Sequence, residues 1–398
     1  MSVQLVGVAA LAIWLYLLVA RGFFWRTAER DDSLSPPEGR ARGKGVWPAV
    51  AAIVPARNEA DVIAKSIGLL LRQTYPGRFV IVLVDDQSTD GTADAALAAA
   101  REAGAAELLT IVEGSDPPVG WTGKVWAMNQ GLRHVEGEAA PPDYVLFTDA
   151  DIAYESPDVV ERLVGGAMAR QTVLTSLMVK LRCASPAERL LIPAFIFFFA
   201  KLYPFAWVND PRRATAAAAG GSMLVNREAL AAAGGLLQIR DALIDDCALG
   251  ALLKRQGPIW LGLTQRVASL RPYPSLNHIR RMVVRSAYAE LRYSPLRLAG
   301  TLAGMTLTYL APPLLTLFSA GPARAFGAAA WIAMALAFVP TLRFYGRSPL
   351  WGVLLPLIAA IYTAFTVESA IQHWRGRGGA WKGRFQAEAA SAGKTAGA

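Results

Sequence analysis

The sequence is poor in cysteine, in histidine and in charge. It has two cysteines, Cys183 and Cys247, in 398 residues. One pair cannot build a disulfide framework, so the main body of the chain is expected to face a reducing compartment. The three histidines are widely spaced, which argues against a His-based zinc centre. Charged residues make up only 18% of the chain and hydrophobic residues 54%, and the mean hydropathy is +0.31. These values are too apolar for an ordinary soluble enzyme and point to an integral membrane protein. The charge present is unbalanced, with a formal net charge of +9. Anionic lipid head groups or an anionic substrate account for that excess better than nucleic acid, and no nucleic-acid partner is expected.

What the chain does have is long uncharged runs. Residues 5–20 are apolar and are followed by Arg21, Phe23, Phe24, Trp25, Arg26 and Arg30. No positive charge precedes the run, so it reads as a retained anchor rather than a cleaved signal peptide. The arginines behind it predict a cytoplasmic location for the domain that follows. Three further uncharged stretches, 298–322, 325–342 and 348–367, approach the length of about 20 apolar residues that a span needs. Two topology signals conflict here. Three crossings would put the C-terminus outside, whereas Arg375, Arg377, Lys382 and Arg384 in the tail favour the inside. The Pro312-Pro313 pair offers a way out, by breaking the first stretch into a re-entrant or interfacial element.

Between the apolar ends lies a regular α/β pattern. After a Ser-, Pro- and Gly-rich linker, strands are expected at 50–54, 79–84, 107–112 and 144–147, with helices at 59–73, 90–103 and 123–133. The run 79–84 shows no alternation, as expected for a parallel strand buried on both faces. Further strands are expected at 172–179, 220–226 and 259–263. Alternating units of this kind predict a parallel, doubly wound sheet with right-handed crossovers. Ligands on such sheets bind at the carboxyl ends of the strands.

The polar clusters fall at those ends. The first strand runs into Pro55, Arg57 and Glu59, and the second into Asp85 and Asp86. Residues 144–151 read as a buried strand ending in Asp149 and Asp151, whose side chains would share one side. Taken alone, that pair is either a solvated turn or a site for Mg²⁺ or Mn²⁺, which prefer carboxylate oxygens. Asp90 reads as a helix cap. Lys124 opens a helix beside Gly120 and Gly123. A cation there opposes the helix dipole unless an anion such as a phosphate is near. Asp245 and Asp246 begin another helix, where they either favour the dipole or supply a general base. Residues 190–208 are apolar and aromatic, and read as an interfacial or acceptor-lining helix or as a buried domain helix. Residues 278–292 form a basic amphipathic stretch with Arg281 and Arg285 on one face, suited to a pyrophosphate or to anionic lipid.

In order, these motifs resemble the family 2 glycosyltransferases, whose catalytic domain has the GT-A fold. The resemblance is carried by Ile53-Val-Pro-Ala-Arg-Asn-Glu59, Val84-Asp-Asp-Gln-Ser-Thr-Asp-Gly-Thr92, Gly123-Lys124 through Asn129, Asp149-Ala-Asp151, Gly220-Gly221 and Asp245-Asp246. Gly120-Trp-Thr-Gly-Lys124, residues 146–154 and residues 289–295 look more narrowly like the bacterial hopanoid-biosynthesis-associated (hopene-associated) glycosyltransferases. The resemblance implies a nucleotide pocket lined by Pro55, Arg57 and Glu59, and a base contact, uracil for a UDP-sugar, from Asp86. It implies Mg²⁺ or Mn²⁺ on the donor diphosphate held by Asp149 and Asp151, and Asp246 as the catalytic base. It also implies help from Lys124 and Arg285 at the leaving diphosphate. Two departures matter. Asp245 stands where the family has Glu, and of the processive members' Gln-x-x-Arg-Trp motif only Arg285 survives. The second departure favours transfer of a single sugar over polymer synthesis.

The expected protein is therefore a multi-pass enzyme of the inner (plasma) membrane with an α/β, Rossmann-like GT-A domain on the cytoplasmic side. The expected organisation is an anchor at 1–25, a linker at 26–47, the catalytic domain at 48–292, transmembrane or re-entrant helices at 293–372 and a basic tail at 373–398. The expected partners are a nucleotide-sugar, a membrane lipid acceptor and the phospholipid bilayer. The alternatives are a polyprenyl-phosphate glycosyltransferase and, in another class, a non-catalytic membrane nucleotide-sugar-binding protein.

Overall fold

The structure is a computed structural model that describes residues 2–35 and 46–378, with short segments at 380–381 and 384–385. Parts of the expected linker and most of the basic tail lie outside the described residues. The described chain forms two compact units that alternate along the sequence. An α/β unit comprises Glu29–Arg182, Trp207–Arg271 and the described residues from Trp381, and a helical unit comprises the chain up to Ala28, Cys183–Ala206 and Pro272–Ala380. The divisions fall at 28/29, 182/183, 206/207, 271/272 and 380/381.

In chain order, α1 (Val3–Val19) belongs to the helical unit. The α/β unit then builds β1 (Val50–Ala56), α2 (Ile63–Leu71), β2 (Phe79–Asp85), α3 (Thr92–Glu102), β3 (Leu109–Glu113), α4 (Gly123–Glu136), β4 (Tyr144–Phe147), β5 (Ile152–Tyr154), α5 (Val159–Arg170) and β6 (Leu174–Lys180). Next, α6 (Pro186–Leu202) lies in the helical unit, and α7 (Phe205–Asn209) follows it. The α/β unit resumes with β7 (Met223–Asn226), α8 (Arg227–Ala232), α9 (Asp245–Leu253) and β8 (Ile259–Ser269). The helical unit closes with α10 (Leu276–Glu290), α11 (Pro295–Met305), α12 (Ala311–Phe318), α13 (Gly321–Phe344) and α14 (Leu355–Trp374).

The eight strands form one sheet in the order β3-β2-β1-β4-β7-β6-β8-β5. The first four are parallel, with Ile53 of β1 paired to Val82 on one side and Phe147 on the other. Ile81–Val84 are buried, as an unalternating run in a sheet covered on both faces should be. α4 lies tight against this half: a Cβ on Gly131 would come within 2.5 Å of Ile53 Cγ2. The other half departs from an all-parallel sheet. β7 is antiparallel to both β4 and β6, and β5 is antiparallel to β8, whereas β6 and β8 are parallel.

The stretch 144–151 is not one strand. β4 stops at Phe147, and Asp149-Ala150-Asp151 forms a turn closed by the Ile152 amide donating to the Asp149 carbonyl at 3.2 Å. The missed strand β5 follows at once and pairs at the far edge of the sheet. Five peptide steps from Phe147 to Ile152 reach at most about 17 Å. Four flat inter-strand steps would need about 19 Å. The sheet therefore curls, and the two aspartates sit where it closes on itself. β8 is also longer than expected and extends to Ser269, two residues before Arg271.

In the helical unit, three helical segments are long and apolar enough to cross a membrane: Pro295–Phe318, Gly321–Phe344 and Pro349–Trp374. α1 is apolar but shorter. α6 starts at a capping box, with the Ser185 hydroxyl accepting from the Glu188 amide and Glu188 reaching back to the Ser185 amide. The 190–208 stretch is thus largely one helix, which runs through Pro193 to Leu202 and breaks at Tyr203-Pro204 before α7, and α6 packs among the other helices of its unit. The Phe197 ring lies 5.2 Å from those of both Phe24 and Phe338.

Candidate active site

The carboxyl ends of the strands bring three groups of side chains together, all within the α/β unit. The first is centred on Lys124. Gly123 and Lys124 open α4, which projects the ammonium into the curl of the sheet. Its Nζ lies 2.8 Å from Asp149 Oδ1 and 3.0 Å from Asp245 Oδ2. Asp246, next to Asp245 in the first turn of α9, is held by two backbone donors. The Gly220 amide donates to its Oδ2 at 2.9 Å and the Cys247 amide to its Oδ1 at 2.7 Å. Gly220 has no side chain for a reason visible here. A Cβ at that position would lie 3.2 Å from Lys124 Nζ and 3.5 Å from Asp246 Oδ2.

Charges crowded in this way shift one another. Burial alone would depress the Lys124 ammonium, but Asp149, Asp245 and Asp246 outweigh it and hold the lysine well above its usual value. Burial raises Asp149, and the neighbouring Asp151 and Asp245 add to the effect while Lys124 opposes it. Asp246 is pushed up to about 6, first by burial and then by the charge of Asp245, with Lys124 and the two amides pulling the other way. A carboxylate at that value is ionised for much of the time at neutral pH and is still basic enough to accept a proton.

The second group was not legible in the sequence. Arg271, just past β8, places Nε 2.9 Å from Asp151 Oδ2 and its second terminal nitrogen 2.5 Å from Glu59 Oε2. The Ser269 hydroxyl approaches the same Asp151 oxygen at 3.4 Å, and the Leu270 amide donates to the Asp151 carbonyl at 2.7 Å. The expected strand at 259–263 stopped eight residues short of this arginine. A strand read through to Ser269 would have placed Arg271 at a carboxyl end.

The third group is the Asp86 corner. Asp86 is fully buried. Arg57 donates to its carbonyl at 2.5 Å and lies 3.5 Å from its Oδ2. Asn58 and Gln87 both adopt left-handed backbone, at φ 51° and 57°. Asn58 is clasped across the gap, its amide donating to Ser88 Oγ and its Oδ1 accepting from the Thr89 amide. Asp90 accepts from the amides of Ala60 and Thr92, but it stands one residue ahead of Gly91, which is the N-cap of α3. Pro55 lies buried in β1 beside this corner.

Of the residues singled out in the sequence, Pro55, Arg57, Glu59, Asp86, Lys124, Asp149, Asp151, Asp245 and Asp246 all belong to the α/β unit. Arg285 is exposed on α10 in the helical unit. Among the described residues no group of three or more His, Cys, Asp or Glu side chains is placed to hold a metal by itself. The pair Asp149 and Asp151 nonetheless fits a hard cation of another kind. Mg²⁺ is commonly held by one or two carboxylates together with substrate phosphates and water. A donor set of two aspartates suits a metal that arrives with a diphosphate, not a self-sufficient centre.

This architecture, a mostly parallel curled α/β sheet with acids and a lysine at its carboxyl end, is GT-A-like. Residues 51–232 match the family model described as Glycosyl transferase family 2. The match takes in Asp86, Lys124, Asp149 and Asp151, and ends before Asp245, Asp246 and Arg271. The chain is also 32% identical, over 133 residues, to the dolichyl-phosphate beta-glucosyltransferase of Saccharomyces cerevisiae. That match covers 32% of this chain and 37% of the yeast protein, little more than a third of its length. Among solved structures, the mannosyltransferase PcManGT from Pyrobaculum calidifontis, in complex with GDP-Man and Mn²⁺, is similar in fold. Its TM-score is 0.54 at 22% identity, covering 93% of this chain and 98% of that one.

Proposed function

We propose that the protein is a membrane-bound inverting glycosyltransferase that moves a single sugar from a nucleoside-diphosphate sugar to a membrane lipid. The observation that carries this reading is the Lys124 bridge between Asp149 and Asp245, with Asp246 held by the Gly220 amide beside it. It sets a cation, a metal-competent carboxylate and a basic carboxylate around one small space.

In this reading Pro55, Arg57 and Glu59 line the nucleotide pocket, and Asp86 contacts the base, uracil in a UDP-sugar. Asp149 and Asp151 would hold Mg²⁺ or Mn²⁺, which would offset charge developing on the leaving diphosphate. Lys124 adds a second positive charge on the same side, and Arg285 is a further cation assigned by its motif. Asp246 takes the proton from an acceptor hydroxyl. The freed oxygen bonds to the anomeric carbon as the bond to the diphosphate breaks, so one displacement inverts the configuration. Asp245 keeps Lys124 in place. The non-catalytic alternative is disfavoured because the metal-site acids, the lysine and the base are all present.

For the acceptor, the narrow sequence resemblance supports a hopanoid, whose hydroxyl would need Asp246 as a base. The yeast relative supports a second reading, a polyprenyl phosphate. A phosphate acceptor is already anionic near neutral pH and needs no base. Asp246→Asn separates the two, because turnover should be lost with a hydroxyl acceptor and largely kept with a phosphate. The parent assay incubates purified protein with UDP-sugars, divalent metal and extracted lipid. Lipid extracts of a deletion strain should lack one glycosylated species. No transfer from any nucleoside-diphosphate sugar with metal present would overturn the reading. The inner membrane is the proposed location, with the α/β unit on the cytoplasmic side.

A further inference from the structure

By length and composition, the three apolar stretches at the C-terminal end of the chain look alike. Their packing within the helical unit does not. The first stretch starts where the last one ends. The Tyr293 ring stacks on the His373 ring at 4.3 Å, and Leu298 in the first turns of α11 shares a core with Tyr288 and Ala370 near the end of α14. The Tyr288 amide donates to the Ser369 hydroxyl at 3.0 Å, which fixes α10 to the same end of α14.

The opposite end of the helical unit is marked by glycines. A Cβ on Gly7 would meet Phe326 Cβ at 3.1 Å, the Ala323 carbonyl at 3.4 Å and Leu315 Cδ1 at 3.6 Å. A Cβ on Gly327 would meet Leu315 Cβ at 2.7 Å. The start of α1, the end of α12 and the start of α13 therefore lie at one level. From Leu315 back to Leu298 is about 26 Å of helical rise, and from Ala323 to Phe344 about 31 Å. Each matches the hydrocarbon thickness of about 30 Å. The first two stretches thus go out and come back.

The third stretch begins differently. A Cβ on Gly352 would lie 2.7 Å from the Ala335 carbonyl, and the Trp331 indole donates to the Val353 carbonyl at 3.2 Å. Residues 352–353 are therefore abreast of the middle of α13, about 14–20 Å below its end at Phe344. There the six-residue 3₁₀ segment Pro349–Leu354 gives way to α14, which climbs back to Tyr293 and Leu298.

We propose that Pro349–Trp374 is a re-entrant hairpin that enters the bilayer to mid-depth and returns to the face it left. The inference rests on the membrane reading of the protein. It leaves two true crossings after α10 and places the turn at 345–348 and the segment after Trp374 on one face. The basic residues divide accordingly. Arg297, Arg343, Arg347, Arg375 and Arg377 sit at that face, and Arg324 alone marks the opposite end of α13. Such a bias identifies the cytoplasmic, anionic-lipid side. The conflict between three apolar stretches and a basic tail disappears, because one of the three does not cross.

The test uses the full chain in intact cells, with Cys183 and Cys247 replaced by serine and one cysteine placed at Ala320, Gly346 or Gly376. A membrane-impermeant maleimide should label position 320 from outside, and positions 346 and 376 only after permeabilisation. A dual phosphatase and fluorescent-protein reporter fused to the otherwise unaltered chain at its C-terminus should report the cytoplasm, which guards against variants that fail to fold. Labelling of 376 from outside together with 320, or phosphatase activity from the fusion, would mean three crossings and overturn the proposal. Retention in carbonate-washed membranes tests the membrane reading separately. A soluble chain would sink that reading, whereas a retained chain with the wrong labelling pattern sinks only the hairpin.

Discussion

Arg271 and Asp151 form an ion pair at 2.9 Å, and the same guanidinium reaches Glu59 at 2.5 Å. The arginine therefore neutralises one of the two carboxylates assigned to the metal. The proposed metal must compete with it, and a diphosphate arriving with the metal would offer the guanidinium another anion. Arg271→Gln is expected to tighten Mn²⁺ binding in the absence of nucleotide by about ten-fold or more, because a unit charge beside the ligand has been removed. It should also cost about 1–3 kcal/mol of stability, since Asp151 and Glu59 lose their partner. Electron paramagnetic resonance of free Mn²⁺ and thermal unfolding read the two effects separately. Unchanged or weaker Mn²⁺ binding would show that the arginine does not compete for this site.

The raised Asp246 sets the pH dependence. A base must be ionised to work, so kcat/KM should fall below about pH 6 and rise toward a plateau above it. Stability runs the other way. The value in the folded chain lies above the ordinary 3.8, so protonation of Asp246 stabilises the fold. That contribution is complete below pH 3.8 and is lost as the pH rises through about 6. Asp246→Asn is therefore expected to retain nucleotide binding and to unfold no earlier than the parent at pH 7.5, while transfer to a hydroxyl acceptor is lost. A pH profile of initial rates and a melting curve at two pH values check both signs.

How much of this site the sequence disclosed depends on how local each feature is. The parallel half of the sheet was legible because runs such as 79–84 are apolar without alternation, and each ends in a polar cluster. β5 is only three residues long, too short for any period to register. Its place at the far edge of the sheet is decided by the curl, which is a long-range property. The antiparallel direction of β7 was hidden in the same way, because its four residues do not encode which neighbour they meet. Lys124 stood out because a cation at a helix start needs an anion. Arg271 did not, because its partners lie 120 and 212 residues away along the chain.

Lys124 is expected to be the least replaceable of the cations. Lys124→Ala leaves Asp149 and Asp245 facing each other without their shared counter-charge and removes positive charge from the leaving-group side. A preorganised charge of this kind is commonly worth about 10²–10³ in kcat. Lys124→Arg should not rescue it. The ammonium fits between two carboxylates under Gly220, with little room for a planar guanidinium. Steady-state kinetics on both variants, with donor affinity measured by calorimetry, would check this. Activity in the arginine variant near that of the parent would mean that the charge matters and its shape does not.

Chelation should behave as expected for a two-aspartate site. EDTA is expected to abolish transfer and excess Mg²⁺ or Mn²⁺ to restore it, while Asp151→Ala should resist that rescue. Because no third protein ligand is placed nearby among the described residues, metal affinity should rise sharply when a nucleoside diphosphate is present. Titrating Mn²⁺ with and without UDP measures the difference. Equal affinities would mean that the protein alone supplies the coordination shell.

Gly220→Ala offers the most selective probe, because it separates site geometry from folding. Gly220 is not among the positive-φ glycines, so its backbone can accept alanine. The added Cβ would stand 3.2 Å from Lys124 Nζ, the far end of a flexible side chain, and 3.5 Å from Asp246 Oδ2. Moving an ammonium by a few tenths of an ångström costs the fold little, so stability should change by less than about 1 kcal/mol. Catalysis depends on where that ammonium sits, and kcat should fall about ten-fold. Gly131→Ala supplies the contrast. There the new atom would lie 2.5 Å from Ile53 Cγ2 and 3.0 Å from Val84 Cγ2, in the packed core between α4 and the sheet. Overpacking of that kind costs about 1–3 kcal/mol. If Gly220→Ala destabilised the protein as much as Gly131→Ala, the glycine would serve packing and not the space shared by Lys124 and Asp246.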